Sequence, residues 1–216
     1  MDTNKQISDL GHKIEDLHPD LLDYLDLTSG AFPMLRHPLV YLVPYASGMN
    51  AFLNKQYEQK KNAIQNCLNQ KDYHGYVFMH ERPYRINAFL EVADKMDAYV
   101  YWEVLGDIWI DSENIFRSKK LWRKALNSKK PHRKFFMSVT DRMVLNELPE
   151  IVTIYRGYTI GINKQGFSYS LSEEKARWFA ERFNKDNACV SMRKVKREDI
   201  FAYTSARNED EIIILK

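Results

Sequence analysis

The sequence predicts an α+β protein, a helical N-terminal lobe followed by a compact strand-rich core. Three observations carry this reading. Apolar residues recur at helical spacing through about the first 145 positions. After Pro149 the texture changes to short β-branched and aromatic runs punctuated by Gly157, Gly161 and Gly166. A composition of 44% hydrophobic and 28% charged residues is that of an ordinary globular chain. Residues 1–148 therefore read as a mainly helical lobe with a basic segment at 117–134, and 149–216 as the core, the two forming one integrated domain.

In the lobe, Leu10, Ile14, Leu17, Leu21, Leu22 and Leu25 predict a helix over Asp9–Leu25 that Pro19 could kink. Thr28–Pro44 reads as a loop rich in turn residues. Ser47 is the expected N-cap of a long helix whose inward face carries Met49, Phe52, Gln56, Ala63, Ile64, Cys67 and Leu68. Arg85–Met96 predicts a short helix started near Pro83. Tyr101, Trp102, Leu105, Ile108 and Trp109 mark another. Ser112 and Glu113 are expected to start one more, with Ile115, Trp122, Ala125 and Leu126 inward and lysines outward. Phe135–Leu148 reads as the last helix of the lobe.

In the core, Ile151–Tyr155, Phe167–Leu171, Ala188–Val195, Ile200–Thr204 and Glu211–Leu215 predict strands, the last of them central. Ser172 caps a helix, with Glu173 and Glu174 in its first turn and Ala176, Phe179, Ala180 and Phe183 as its buried stripe.

Several classes of function are disfavoured. No apolar stretch approaches the roughly 20 residues of a membrane span, so no membrane role is expected. The polar, acidic N-terminal stretch argues against a secretory signal, and Cys67 and Cys189 form no redox or metal spacing; a cytoplasmic setting is expected. The six histidines show no ligand spacing, and no metal is expected. With only 8 Gly and 7 Pro, long disordered linkers are not expected. The segment 80–85, HERPYR, lacks the second histidine of a zinc-protease helix and reads as a hydrogen-bonded cluster at a helix start. Charge is uneven. Arg117–Lys134 holds nine Lys or Arg and no acid, so against a whole-chain charge of +3 the remainder nets −6. Such a patch suits an anionic partner, or is a solvated helix face.

Three motifs follow one another in the core: IYRGY with Arg156, GFSYSLS with Ser168 and Ser170, and NEDEIIIL with Glu209 and Glu211. In this order they resemble the Arg, Ser-Thr-Ser and Glu-x-Glu motifs of toxin-type mono-ADP-ribosyltransferases, among them bacterial intracellular and anti-phage toxins. The helix EEKARWFAERF resembles the one after the family's serine motif. The likeness covers Ile151–Lys216, and Tyr169 stands where the family usually has Thr. It implies an NAD-dependent transferase with NAD as co-substrate. Arg156, Gly157, Ser168 and Ser170 would contact NAD, and Gly157 would lie against the nicotinamide amide. Glu211 would bond the ribose 2′-hydroxyl, and an antitoxin partner is possible.

The chemistry asks for the same residue types. Breaking the nicotinamide bond develops positive charge on a sugar, as in glycoside cleavage. A cation is needed for the phosphates and an anion near the sugar, both rigidly placed. Arginine offers a planar fork of donors to phosphate. Glu211 opens an apolar strand that would desolvate it. Glu209, two residues earlier in an extended segment, would face the same side and address the acceptor, while Asp210 would point away. Ser168 has no histidine partner and reads as a support for Glu211 or the ribose rather than a nucleophile. Taken singly, each feature also fits a plain salt bridge, turn or solvated acidic run. No Gly-x-Gly-x-x-Gly or phosphate-binding loop of the dinucleotide folds is present.

For the acceptor, Glu-x-Glu points by analogy to protein arginine. The basic run, with Trp122 and His132 among its cations, and a second cluster at Arg193–Arg197 favour nucleic acid, RNA in particular. Lys119, Lys120, Arg123 and Lys124 are the candidate phosphate contacts. NAD hydrolysis without an acceptor, and an inactive transferase-fold binding module, are the alternatives.

Overall fold

A computed structural model describes residues 15–28, 30–113, 115–182 and 185–215. The chain is α+β, helices with two antiparallel sheets. It divides into two compact units at Val92/Ala93, not near residue 148, so the helices of 93–148 belong with the strand-rich core.

In the first unit, Pro19 occupies the first position of a one-turn helix, α1 (Pro19–Leu22), where its missing N–H costs nothing. The long helix expected over Asp9–Leu25 is thus reduced to one turn among the described residues. Leu25 already lies in a strand, and Leu10 and Ile14 fall outside the described residues. Strands β1 (Leu25–Asp26), β2 (Met34–His37) and β3 (Val40–Leu42) form an antiparallel sheet in that order. The Thr28–Pro44 stretch is therefore not simply a loop. Leu35, Leu39 and Val40 are buried, but strands this short show too few alternations to be read from sequence.

Helix α2 (Asn50–Gln70) follows a 3-10 turn at Ser47–Met49, so Ser47 opens that turn and does not cap the helix. Its buried residues are Asn50, Leu53 and Tyr57, with Met49 and Ile64 partly buried against the same core. Phe52, expected inward, is 59% exposed. One residue of offset turns a helix face by about 100°, which is the size of that error. Helix α3 (Tyr73–Met79) is capped by Asp72, and α4 (Arg85–Val92) follows a turn containing Pro83. The segment 80–85 is tied up locally: Arg85 Nε donates to the His80 carbonyl at 3.1 Å, and Lys60 pairs with Glu81 at 2.6 Å.

The second unit opens with a 3-10 turn, Ala93–Lys95, and helix α5 (Ala98–Asp111), capped by Asp97. Tyr101, Trp102, Leu105, Ile108 and Trp109 are all buried, as their spacing predicts. Helix α6 (Lys119–Leu126) starts later than Ser112, after a 3-10 turn at Ile115–Ser118, and buries Trp122, Ala125 and Leu126. Helix α7 (Val139–Glu147) is capped by Ser138. There follow β4 (Ile151–Thr159), β5 (Ser168–Ser170), α8 (Glu173–Glu181), β6 (Ala188–Lys196), β7 (Ala202–Thr204) and β8 (Glu211–Ile213). Ser172 caps α8 as expected, and Ala176 and Ala180 are buried. Phe179 is half-buried, and Phe183 falls outside the described residues.

The sheet runs β6-β4-β5-β8-β7, every neighbour antiparallel, so β8 is interior and β5 holds the centre. One face carries Val152, Ile154, Val195, Tyr203 and Ile212, packed with Val144 and Leu145 of α7. Among the described residues no helix is long and apolar enough to cross a membrane.

Candidate active site

The three motifs lie on neighbouring strands: Arg156 on β4, Ser168 and Ser170 on β5, Glu211 on β8. Register decides which side chains meet. Tyr155 pairs with Ser170, Ser170 with Glu211, and Glu211 with Thr204. Directly paired residues share a face, so these four stand in one row, with Ser168 on the same side. Arg156 is one residue on from Tyr155 and points to the other face. There its guanidinium lies 5.8 Å from the Tyr169 ring centroid.

Glu211 is the most enclosed charged group of the row, 5% exposed. The Trp109 indole N–H donates to its Oε2 at 3.0 Å. Burial pushes the carboxyl above its ordinary range, while hydrogen bonds from Ser168 and Trp109 and the charge of Arg207 act against that. Ser168 thus supports Glu211. Trp109 could not be read as a site residue from the sequence, because its helical spacing marks it only as core. It is fully buried, with Trp122 edge-on at 5.2 Å.

Arg156 is buried too, and its donors are engaged. Nε and Nη2 reach the Asn163 carbonyl at 3.3 and 3.1 Å, and Nη1 bonds the Ser168 carbonyl. Burial lowers its pKa, with Tyr169 and Glu211 opposing, so the carboxylate is near enough for its charge to count. Asn163 Oδ1, buried beside this cluster, has no hydrogen-bond partner among the described residues. Gly166 leaves room for the guanidinium: a Cβ would stand 2.2 Å from Arg156 Nη2, so a side chain there would displace it. Gly157 serves packing, since a Cβ there would meet the Ala176 carbonyl of α8 at 1.8 Å. Ser170 Oγ donates to the Glu209 carbonyl at 3.3 Å and accepts from Ser172 N at 3.0 Å, joining the second and third motifs.

The segment before Glu211 is a strained turn, not an extended run. Arg207, Asn208 and Asp210 all have positive φ, at 59°, 57° and 47°. Glu209 therefore does not share a face with Glu211 through strand alternation. It pairs with Arg207 at 3.1 Å, yet its charge raises the Glu211 pKa, so the two carboxylates are neighbours by the turn. Asp210 does point elsewhere, to Tyr203 at 2.9 Å and to Lys175. Asp141 holds this turn from α7: its Oδ1 accepts from Ser205 N at 3.0 Å and Ser205 Oγ at 2.7 Å.

Of the basic candidates, Lys119 and Arg123 lie one helical turn apart, both over the Phe167 ring. Lys120 and Lys124 are exposed and stand away from that ring. Among the described residues no group of three His, Cys, Asp or Glu could hold a metal ion. No protein-family model, no curated protein and no solved structure matches the chain.

Proposed function

We propose that the chain is a mono-ADP-ribosyltransferase that moves ADP-ribose from NAD to an intracellular nucleic acid, RNA in the first instance. The observation that carries this is Glu211: a buried carboxylate held by the Ser168 and Trp109 donors, on a strand beside the serine motif and two strands from buried Arg156. Burying a carboxylate costs free energy even when it is hydrogen-bonded, and such groups cluster at functional sites.

In the reaction the bond from ribose C1′ to nicotinamide breaks and nicotinamide leaves with the bonding pair. The acceptor forms a new bond to C1′ and loses a proton. Ionised Glu211 stabilises the sugar's positive charge, and Glu209, beside it at the turn, orients the acceptor or takes its proton. Arg156 serves NAD phosphate only by releasing the Asn163 and Ser168 carbonyls. A protein-arginine acceptor is the second reading, favoured by the closeness of Glu209 to Glu211.

The test is incubation of the protein with cell extract and NAD labelled in its adenylate half, followed by separate nuclease and protease digestion. Label released by nuclease alone is expected; release by protease alone assigns protein, and free nicotinamide without bound label assigns hydrolysis. Glu211→Gln should cut NAD turnover about 100- to 1,000-fold with the fold intact. A folded Glu211→Gln protein at the parent rate removes the assignment.

A further inference from the structure

Two groups of cations, far apart in the sequence, meet at one opening. A cleft of about 270 Å³ is lined by Lys119 and Arg123 of α6, Arg193 of β6, and Gly166, Phe167 and Tyr169 around β5. No acidic residue is among its described lining. Lys119 Nζ lies 5.8 Å and the Arg123 guanidinium 5.7 Å from the Phe167 ring centroid, and Lys119 also donates to the Gln165 carbonyl at 2.7 Å. Lys119 is thereby held at the rim, with the exposed Arg123 over the same ring. Behind them the buried Arg156 guanidinium lies beside Gly166, adding a positive background.

Of the rest of the basic run, Lys130 is tied to the fold, while Arg133 and Lys134 are exposed and lie over aromatic rings. Lys130 Nζ donates to the Met96 carbonyl at 2.8 Å, Arg133 lies 5.1 Å from the Phe201 ring, and Lys134 5.4 Å from the Phe135 ring. What sets this cleft apart from the remaining exposed cations is that Arg193 of β6 joins Lys119 and Arg123 of α6 around one opening. An ammonium and guanidinium forks converging from two walls match a group with several oxygens and full negative charge.

We propose that this cleft is a phosphate-binding subsite, filled by a phosphate of a single-stranded nucleic acid or of NAD. NAD as a source rests on the transferase reading; phosphate binding in the cleft does not.

The test uses the full chain and two probes: a short labelled single-stranded RNA, followed by anisotropy over a range of salt, and ADP-ribose, followed by calorimetry. Lys119→Gln/Arg123→Gln is compared with Lys120→Gln/Lys124→Gln, which removes the same charge outside the cleft. Arg193→Gln probes the other wall, and circular dichroism checks each fold. Affinity for one probe should fall about tenfold or more in the cleft variants, and about twofold or less in the outside pair. With RNA, the salt slope should also become shallower by about 0.7 for each phosphate that is no longer neutralised. Weakening confined to RNA names nucleic acid as the source of the phosphate, and weakening confined to ADP-ribose names the dinucleotide. Equal weakening by both double variants, no weakening by the cleft variants, or no binding of either probe to the parent overturns the proposal.

Discussion

At Glu211, burial and hydrogen bonding pull in opposite directions. Burial favours the neutral acid; the Ser168 hydroxyl and the Trp109 indole favour the anion. Trp109→Phe keeps a ring in the core and deletes the N–H. The Glu211 pKa should then rise further, and the acid limb of the NAD-cleavage profile should move to higher pH. Glu209, which raises this pKa, and Arg207, which lowers it, stay in place. A limb that does not move, with the Glu211 carboxyl titrating unchanged by carbon NMR, would reduce Trp109 to packing. The same group sets a stability prediction. Its folded pKa lies above the ordinary 4.5, so the folded state holds the proton more tightly than the unfolded chain. That contribution is complete below 4.5 and is lost as pH rises through the folded value. Glu211→Gln should therefore be more stable than the parent at neutral pH, by about 0.5–2 kcal/mol, and the gain should disappear in acid. Melting curves at the two pH values check this.

Among the elements, α7 bears on the site more than its sequence suggests. Ser138 caps the helix through Asp141 N at 3.0 Å, and Asp141 uses its free oxygen to pin Ser205. Asp141→Ala would remove the buried acceptor that holds exposed Ser205 and loosen the turn that delivers Glu209 and Glu211. A drop of about 1–2 kcal/mol in denaturant unfolding is expected, together with slower NAD turnover. Equal stability to the parent would contradict the clamp. This clamp was illegible in the sequence because its partners lie 64 residues apart. What depends on nearby residues was legible: α5 with its buried stripe, α8 with its Ser172 cap, and the strand types of the core. The faces of Arg156 and Glu211 were not, since they follow from a register fixed only when β4, β5 and β8 pair. The positive-φ turn at 207–210 was legible in part, since Asn208 and Asp210 tolerate the left-handed region, whereas Arg207 carries no mark of it.

Over the whole molecule, the division at Val92/Ala93 joins α5–α7 to the sheet that follows. A fragment of 149–216 would separate Glu211 from Trp109 and Ser205 from Asp141. We expect it to show no cooperative melting transition, while 93–216 melts cooperatively; circular dichroism distinguishes them. The placement of aromatic residues adds something practical. All four tryptophans, Trp102, Trp109, Trp122 and Trp178, fall in the second unit, and the first has none. Fluorescence excited at the red edge of indole absorption thus reports on the site-bearing unit alone. Three of the four emitters are sealed in its core, and one of them touches Glu211. The unmodified protein carries an optical gauge of that unit's integrity, able to separate its unfolding from that of the first unit without any attached dye.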